Sequence, residues 1–348
     1  MNITNFKIKN FRSHSLRQFT FTKGVNVLVG ENGAGKTNIV EAIHYLSLAR
    51  SFRGVDDEDL IKRDSDIAEI DATVKQGELS KQIRILITKE GRKVFINGKP
   101  VSKISDLSNS VNVIVFEPKD VLMFRGLPKV RRNFIDISLS KKSPVYLEYI
   151  SRYEKLLRER NNILKSDDIN MTLLEANTEL LIKTSETIVK YRVTYMKDIN
   201  DILNKITRAL THENAKVDVI YKPYITPNQD FYQEANKAYK RALESDLKNK
   251  ATSIGVHRED FSINLNGREI GTFGSQGENR LIALALKLTP YFLIEDKDKK
   301  PIVVLDDVMS ELDPIHQKRL LEFIQKLDQV FVTTTKSIND NVTSYQIK

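Results

Sequence analysis

The chain has 348 residues, 40% apolar and 29% charged, enough for about two folded domains and against a disordered segment. Lys and Arg outnumber Asp and Glu by 55 to 46, a basic balance that suits a polyanionic partner such as nucleic acid. The absence of cysteine excludes disulfides, thiolate zinc sites and cysteine nucleophiles, and fits a reducing cytoplasm.

Residues 1–30 alternate or run apolar, through Ile3, Phe6, Ile8 and Phe11 and then Phe19, Phe21, Val25, Val27, Leu28 and Val29. Short strands ending at a glycine turn are expected. The opening MNITNFKIKN lacks the apolar core of a signal peptide. Ile39, Ile43 and Leu46 then share a helical face. Residues 67–116 read as β structure, with Ile83, Ile85 and Ile87 alternating and Asn97-Gly98 marking a hairpin. From about 120 to 210 the pattern is helical. A strand is expected over 217–225, a charged helix over 230–250, and a strand over Phe261–Leu265 closed by a hairpin at Asn266-Gly267. The last ninety residues read helix, strand, helix, strand. The longest apolar stretch, Leu281 to Ile294, is broken by Lys287 and Pro290 and is too short to span a membrane. A soluble, intracellular protein without a membrane partner is expected.

This order predicts a discontinuous α/β domain from residues 1–119 and 211–348, with a helical lobe, 120–210, inserted. A helix of twenty residues spans only ~30 Å, so no long coiled-coil arm is expected.

Gly30, Glu31, Asn32, Gly33, Ala34, Gly35, Lys36 and Thr37 match G-x-x-x-x-G-K-[ST] without deviation. The chemistry needs that spacing. Glycines let the backbone curl so that its N–H groups face phosphate, and the helix opening near Lys36 adds the positive end of its dipole. Lys36 is placed to neutralise the β- and γ-phosphates and Thr37 to bind Mg²⁺. A second apolar run, Ile302-Val303-Val304-Leu305, reads as a central parallel strand and ends in Asp306-Asp307. Asp306 suits a Mg²⁺ site, and Asp307 is the candidate for polarising the attacking water. The guanine-reading pattern N/T-K-x-D is missing its Asp at both Asn236-Lys237-Ala238-Tyr239 and Thr335-Lys336-Ser337-Ile338, which favours ATP.

Ser275 and Glu278, three residues apart, form a capping box opening a helix over Leu281–Leu288. After the phosphate loop and before the Asp pair, Gly274-Ser275-Gln276-Gly277-Glu278 also resembles the signature of ABC ATPases. That resemblance implies that Ser275 and Gly277 contact the γ-phosphate held by a second subunit. Val308 to Asp313 looks like the ABC D-loop, with Asp313-Pro314 a clean helix start. Val330-Phe331-Val332 followed by Thr333-Thr334-Thr335 resembles the switch strand, which makes Thr334 a catalytic candidate.

Taken together, the blocks resemble the RecF family of bacterial DNA replication and repair proteins over essentially the whole chain. They include Asn10-Phe11-Arg12-Ser13, Gly30 to Thr37 with Asn38 and Glu41, Phe116 to Asp120, and Gly126-Leu127-Pro128 with Arg131-Arg132. They continue through Tyr153, Leu157, Arg160-Asn161, His257 to Asp260 and Leu305 to Asp313. Glu278-Asn279 stand where glutamines are expected, and Val256 where proline is expected. The resemblance implies an ABC-type P-loop head with an antiparallel β subdomain and a helical lobe. It implies dimerisation around two ATP molecules and binding of double-stranded DNA, gapped DNA and single-strand/double-strand junctions. Partners implied are RecO and RecR, with RecA loaded at gaps, in a bacterial, nucleoid-associated cytoplasmic setting. Arg12, Ser13 and Asn38 would touch the nucleotide on the same basis. An aspartate at 307 is one methylene shorter than the glutamate usual in ABC enzymes, so slow hydrolysis is expected. A transporter-type ABC subunit shares the motif order and is the alternative; the Arg-rich insert does not suit it.

Between Lys129 and Lys165 there are ten Lys/Arg and four Asp/Glu. Arg131, Arg132, Lys141, Lys142 and Arg152, with Lys155, Arg158, Arg160 and Lys165, are candidates for a phosphate track, interleaved with Tyr146, Tyr149 and Tyr153. No base-reading motif appears, so shape and phosphate would drive binding. His257-Arg258-Glu259-Asp260 resembles a kinase catalytic loop only superficially, since no glycine loop or D-F-G accompanies it.

Overall fold

The computed structural model describes residues 1–101, 104–211, 215–338 and 341–348. It divides into two units: Met1–Val121, Lys205–Asn214 and Arg280–Lys348 form the first, Leu122–Asn204 and Ala215–Asn279 the second.

The chain opens with strands β1 (Asn2–Phe11), β2 (His14–Thr20) and β3 (Gly24–Val29), then helix α1 (Lys36–Leu48). Four strands follow: β4 (Ala68–Gln76), β5 (Leu79–Thr88), β6 (Gly91–Ile96) and β7 (Lys99–Val101). Helix α2 (Ile104–Ser110) and strand β8 (Val113–Phe116) lead to the second unit. There α3 (Pro128–Lys142), α4 (Pro144–Lys165) and α5 (Met171–Thr211) precede β9 (Val217–Lys222), α6 (Phe231–Asn249), β10 (Asp260–Leu265), β11 (Arg268–Glu269) and α7 (Ile270–Phe273). Helix α8 (Gln276–Leu293) returns the chain to the first unit, which ends in β12 (Ile302–Leu305), α9 (Pro314–Ile324), β13 (Gln329–Thr334) and β14 (Thr343–Gln346).

Two sheets build the first unit. One is antiparallel, in the order β2-β1-β4-β5-β6-β7; the other is parallel, in the order β14-β3-β13-β12-β8. Ile8, Ile70 and Ile85 lie opposite one another across β1, β4 and β5 and are fully buried, as period-2 alternation requires. Helix α1 is covered by both sheets' side chains and is buried almost all round, including Glu41 off its apolar stripe. Parallel register sets Thr334 beside Val29, and Leu305 beside Val332. The carboxyl ends of β3, β12 and β13 therefore meet at one edge, where open α/β sheets bind ligands. Both expected hairpins are present: Asn97 (φ 50°) with Gly98 (φ 76°) joins β6 to β7, and Asn266 (φ 50°) with Gly267 (φ 81°) joins β10 to β11.

In the second unit, residues 215–279 group with the helices rather than with the nucleotide-binding head of the sequence-based division. Hydrogen bonds and ion pairs explain this. Asn204 on α5 brackets Val217, donating to its carbonyl at 2.5 Å and accepting its N–H at 2.9 Å. Arg131 pairs with Asp260, Arg160 with Asp246 and Arg192 with Glu259, at 2.7, 2.7 and 2.6 Å. Helix α5 runs 41 residues, ~60 Å at 1.5 Å per residue, and buries Leu174, Leu181, Ile188, Ile199 and Leu203 along its length. It packs as part of the fold, not as a coiled-coil arm.

Candidate nucleotide site

The loop after β3 turns on two left-handed glycines, Gly33 (φ 86°) and Gly35 (φ 87°). At Gly35 a Cβ would lie 2.5 Å from the His14 ring and 2.9 Å from Ser13 Oγ, so the close approach of β2 to the loop demands glycine. Gly35 is also the N-cap of α1 and offers no side-chain cap, and no acidic residue occupies the first turn. The helix thus begins with unsatisfied N–H groups and no competing anion. Lys36, nearly buried, donates from Nζ to the carbonyls of Gly30 at 2.9 Å and Glu31 at 2.8 Å, which lays its ammonium over the loop.

Across the sheet edge, Thr37 donates to Asp306 Oδ1 at 3.0 Å, and Thr333 donates to the same oxygen at 2.8 Å. Burial pushes the Asp306 carboxyl above the usual carboxylate range, against the pull of both hydroxyls. A carboxylate and a hydroxyl, both hard oxygens, suit a Mg²⁺ ion that keeps waters and takes the rest of its ligands from phosphate. Among the described residues no group of three or more His, Cys, Asp or Glu could hold a metal ion. Asp307 is left-handed (φ 50°); its N–H donates to Thr333 Oγ1 at 2.8 Å and its Oδ1 accepts from Ser310 at 2.8 Å. The carboxylate is thereby oriented, and one threonine aligns both aspartates. Thr334 is buried; its carbonyl accepts the Gly30 N–H at 3.3 Å and so ties β13 to the phosphate loop.

Arg12 and Asn38 turn out to be tied up locally. Arg12 makes a bidentate pair with fully buried Glu41, at 2.9 and 2.8 Å, and donates to the Asp59 carbonyl at 2.9 Å. Ser51 donates to Glu41 at 2.5 Å, and Arg53 stands 3.6 Å away. Asn38 donates to Ser13 Oγ at 2.9 Å. Sequence reasoning gave no role to Thr333, Glu41 or Ser51. Glu41 could have been suspected as a carboxylate inside the helix that follows a phosphate loop, but the apolar stripe places it on the far face.

In the second unit, the N-terminus of α8 shows the capping box in full. The Ser275 N–H donates to Glu278 Oε2 at 2.7 Å, and the Glu278 N–H donates to Ser275 Oγ at 3.2 Å. Asn279, buried, donates from Nδ2 to the carbonyls of Ile270, Gly274 and Ser275 at 3.2, 2.9 and 2.8 Å, and Arg125 donates to those of Gly271 and Gly274, both at 3.1 Å. The loop before Ser275 is held from two sides. Gly277 stands open: a Cβ at that position would meet nothing within 4 Å.

The proposed phosphate track needs correction. Arg131 is buried, with its guanidinium bidentate to Asp260 and donating to the carbonyls of Met123 and Gly126 at 2.8 and 3.0 Å. Arg160 is 1% exposed and bonds Asp246, Thr252 and Thr178. Both are structural ties, not surface cations. Arg132 donates to the Glu259 carbonyl at 2.9 Å, and Lys142 pairs with Asp198 at 3.5 Å. Lys141 is half-buried, and Arg152 is exposed. Tyr146 and Tyr153 are core residues: Tyr146 donates to Asp136 at 2.5 Å, and Tyr153 meets His257 Nδ1 at 2.8 Å. His257 Nε2 faces the Thr252 carbonyl at 3.0 Å, so it carries the proton and Nδ1 accepts from Tyr153. Burial lowers the His257 pKa to about 4, leaving it neutral at pH 7.

Residues 2–345 match the model of the RecF/RecN/SMC N-terminal domain. The chain is 34% identical to a DNA replication and repair protein RecF of Oceanobacillus iheyensis, covering 96% of this chain and 94% of that one. It is also 34% identical to the RecF of Halalkalibacterium halodurans, over 96% and 93%. Among solved structures it is similar to the recombination mediator protein RecF with ATP of the RecFOR pathway, with a TM-score of 0.88 at 29% identity over 97% and 93% of the two chains. An Smc head domain from Pyrococcus furiosus, at 18% identity and a TM-score of 0.59 over 96% and 89%, shares the fold. No helix among the described residues is long and apolar enough to cross a membrane.

Proposed function

The chain belongs to the RecF/RecN/SMC N-terminal domain family, and from that premise we propose that it is an ATP-gated DNA clamp of the RecF kind. It binds ATP with Mg²⁺, dimerises around two nucleotides, and hydrolyses ATP slowly to reset. Double-stranded DNA and single-strand/double-strand junctions bind the dimer better than the monomer, so ATP shifts the population toward the DNA-holding state. RecO and RecR are the partners proposed, with RecA loading at gaps the outcome, in a bacterial cytoplasm.

The observation that carries the reading is the Thr37–Asp306–Thr333 cluster beside an uncapped, lysine-guarded helix N-terminus. Lys36 and the loop N–H groups hold the β- and γ-phosphates; Gly30 to Asn38 form the cradle. Thr37 and Asp306 would hold Mg²⁺, which supplies charge neutralisation at the transferring phosphoryl group. Asp307, oriented by Ser310, accepts a proton from the attacking water, and Thr334 lies at the switch position. Ser275 and Gly277 of one subunit complete the site of the other. Arg12 and Ser13 serve the nucleotide indirectly, by fixing α1 through Glu41 and Asn38. Of the basic residues, Arg132, Lys141, Lys142 and Arg152 remain as DNA contacts.

The test is ATP hydrolysis and DNA binding in one series. Double-stranded DNA should speed hydrolysis, and ATP, but not ADP, should raise DNA affinity. Hydrolysis indifferent to DNA, with DNA affinity the same in both nucleotides, would leave a P-loop ATPase without this function.

A further inference from the structure

Both ends of the phosphate loop are tied to neighbouring elements of the first unit, but by different means. At the entry the ties are backbone to backbone: the Gly30 N–H donates to the Thr334 carbonyl at 3.3 Å, and the Ile347 N–H donates to the Val29 carbonyl at 2.7 Å. At the exit the tie is a side chain. His14, on β2 and 5% exposed, sets its Nε2 3.1 Å from the Gly35 carbonyl. A carbonyl oxygen only accepts, so Nε2 carries the proton and donates. Burial and the charges of Arg17 and Lys62 lower the His14 pKa against the pull of the Gly35 bond, so the ring is neutral at pH 7.

The same carbonyl accepts the Ile39 N–H at 3.2 Å, which starts the hydrogen-bond ladder of α1. The Gly35–Lys36 peptide is trans and planar, so its N–H points away from the held carbonyl. That N–H belongs to Lys36 and is among those at the head of α1 that lack an i−4 carbonyl. A bond on the carbonyl oxygen also polarises the peptide and makes its N–H a stronger donor. The ring itself fills the space beside Gly35: its Nε2 and Cε1 would lie 2.5 and 2.6 Å from a Cβ there. A glycine at φ 87° is otherwise free to swing, and the ring limits that freedom. We propose that His14 is a positioning residue for the phosphate loop, holding the Gly35–Lys36 peptide so that the Lys36 N–H stays aimed at the phosphates of the bound nucleotide. The inference rests on the reading that Gly30 to Thr37 cradle those phosphates.

The experiment is calorimetric titration of the full chain with Mg²⁺-ATP, comparing wild type with His14→Gln and His14→Met. The two replacements are close in length and volume, but only the glutamine carries an N–H. His14→Met should weaken Mg²⁺-ATP binding roughly fivefold, the worth of one hydrogen bond, while His14→Gln stays within about twofold of wild type. A role in packing alone would move both alike. His14→Phe, a ring without the donor, should weaken binding as His14→Met does, and it replaces that variant should His14→Met fail to fold. Equal affinities in the variants with and without the N–H, whether all tight or all weak, overturn the proposal. Lys36→Met run in parallel keeps the two ideas apart. If Lys36→Met binds Mg²⁺-ATP as wild type does, the reading of the loop itself fails. If Lys36→Met loses binding while the His14 variants do not differ, only the role of His14 falls.

Discussion

Helices α1 and α8 both begin beside glycines, yet their first turns are built in opposite ways. Helix α1 has a left-handed glycine as its cap, no acidic residue in its first turn, and Lys36 folded over the loop. Helix α8 caps itself with Ser275 and carries Glu278. The first keeps unsatisfied donors and a positive charge side by side, the features that favour an anion. The second satisfies its first turn within itself, through the reciprocal Ser275–Glu278 bonds. A helix N-terminus alone therefore does not define a phosphate site; what occupies its first turn decides how strongly it attracts one.

The largest expected effect is at α1. Lys36→Met should cut hydrolysis by at least ~100-fold, because the ammonium neutralises charge that develops during phosphoryl transfer. Steady-state phosphate release measures it.

Asp306 comes next, and its effect has a sign for each state. Its folded pKa is raised, so the protonated form favours the nucleotide-free fold, and that contribution is lost as pH rises through the folded value. Asp306→Asn should therefore raise the melting temperature of the nucleotide-free protein at neutral pH while abolishing the Mg²⁺-dependent rise with ATP. In the wild type, Mg²⁺-ATP affinity should fall on acidification at a higher pH than for an ordinary aspartate, because the proton competes with the metal. Calorimetric titration across pH reads this out.

The remaining two act on α8. Asn279→Ala removes three bonds to loop carbonyls and should cost about 1–2 kcal/mol while leaving ATP binding untouched, seen as a lower melting temperature and a looser dimer. Ser275→Ala loses the cap, about 1 kcal/mol by thermal melting of the nucleotide-free protein. An equal loss of ATP binding in the Asn279→Ala variant would erase the contrast between the two helices.

Much of this contrast is legible in the sequence. The loop spacing, the apolar strand before it and the Asp pair after Leu305 locate the carboxyl edge of the parallel sheet, and both Asn-Gly hairpins form where their turn chemistry demands. The capping box at Ser275 and Glu278 is readable from spacing alone. What stays hidden depends on distant contacts. Arg131 and Arg160 look like surface cations because their acidic partners, Asp260 and Asp246, lie 129 and 86 residues away in the chain. The same ties draw residues 215–279 toward the helices, which composition does not reveal. Thr333 is one of three consecutive threonines, and only the register of β13 singles it out as the bridge between Asp306 and Asp307.

The most direct test of the shared nucleotide site is to mix Lys36→Met with Ser275→Arg protein. Each variant alone lacks a component of both sites in its homodimer. In a mixed dimer, the intact Ser275 of one subunit faces the intact Lys36 of the other, completing one site. A shared site predicts that the mixture hydrolyses ATP well above the sum of the two variants assayed separately. Activity equal to that sum would contradict it and place each nucleotide site within a single chain.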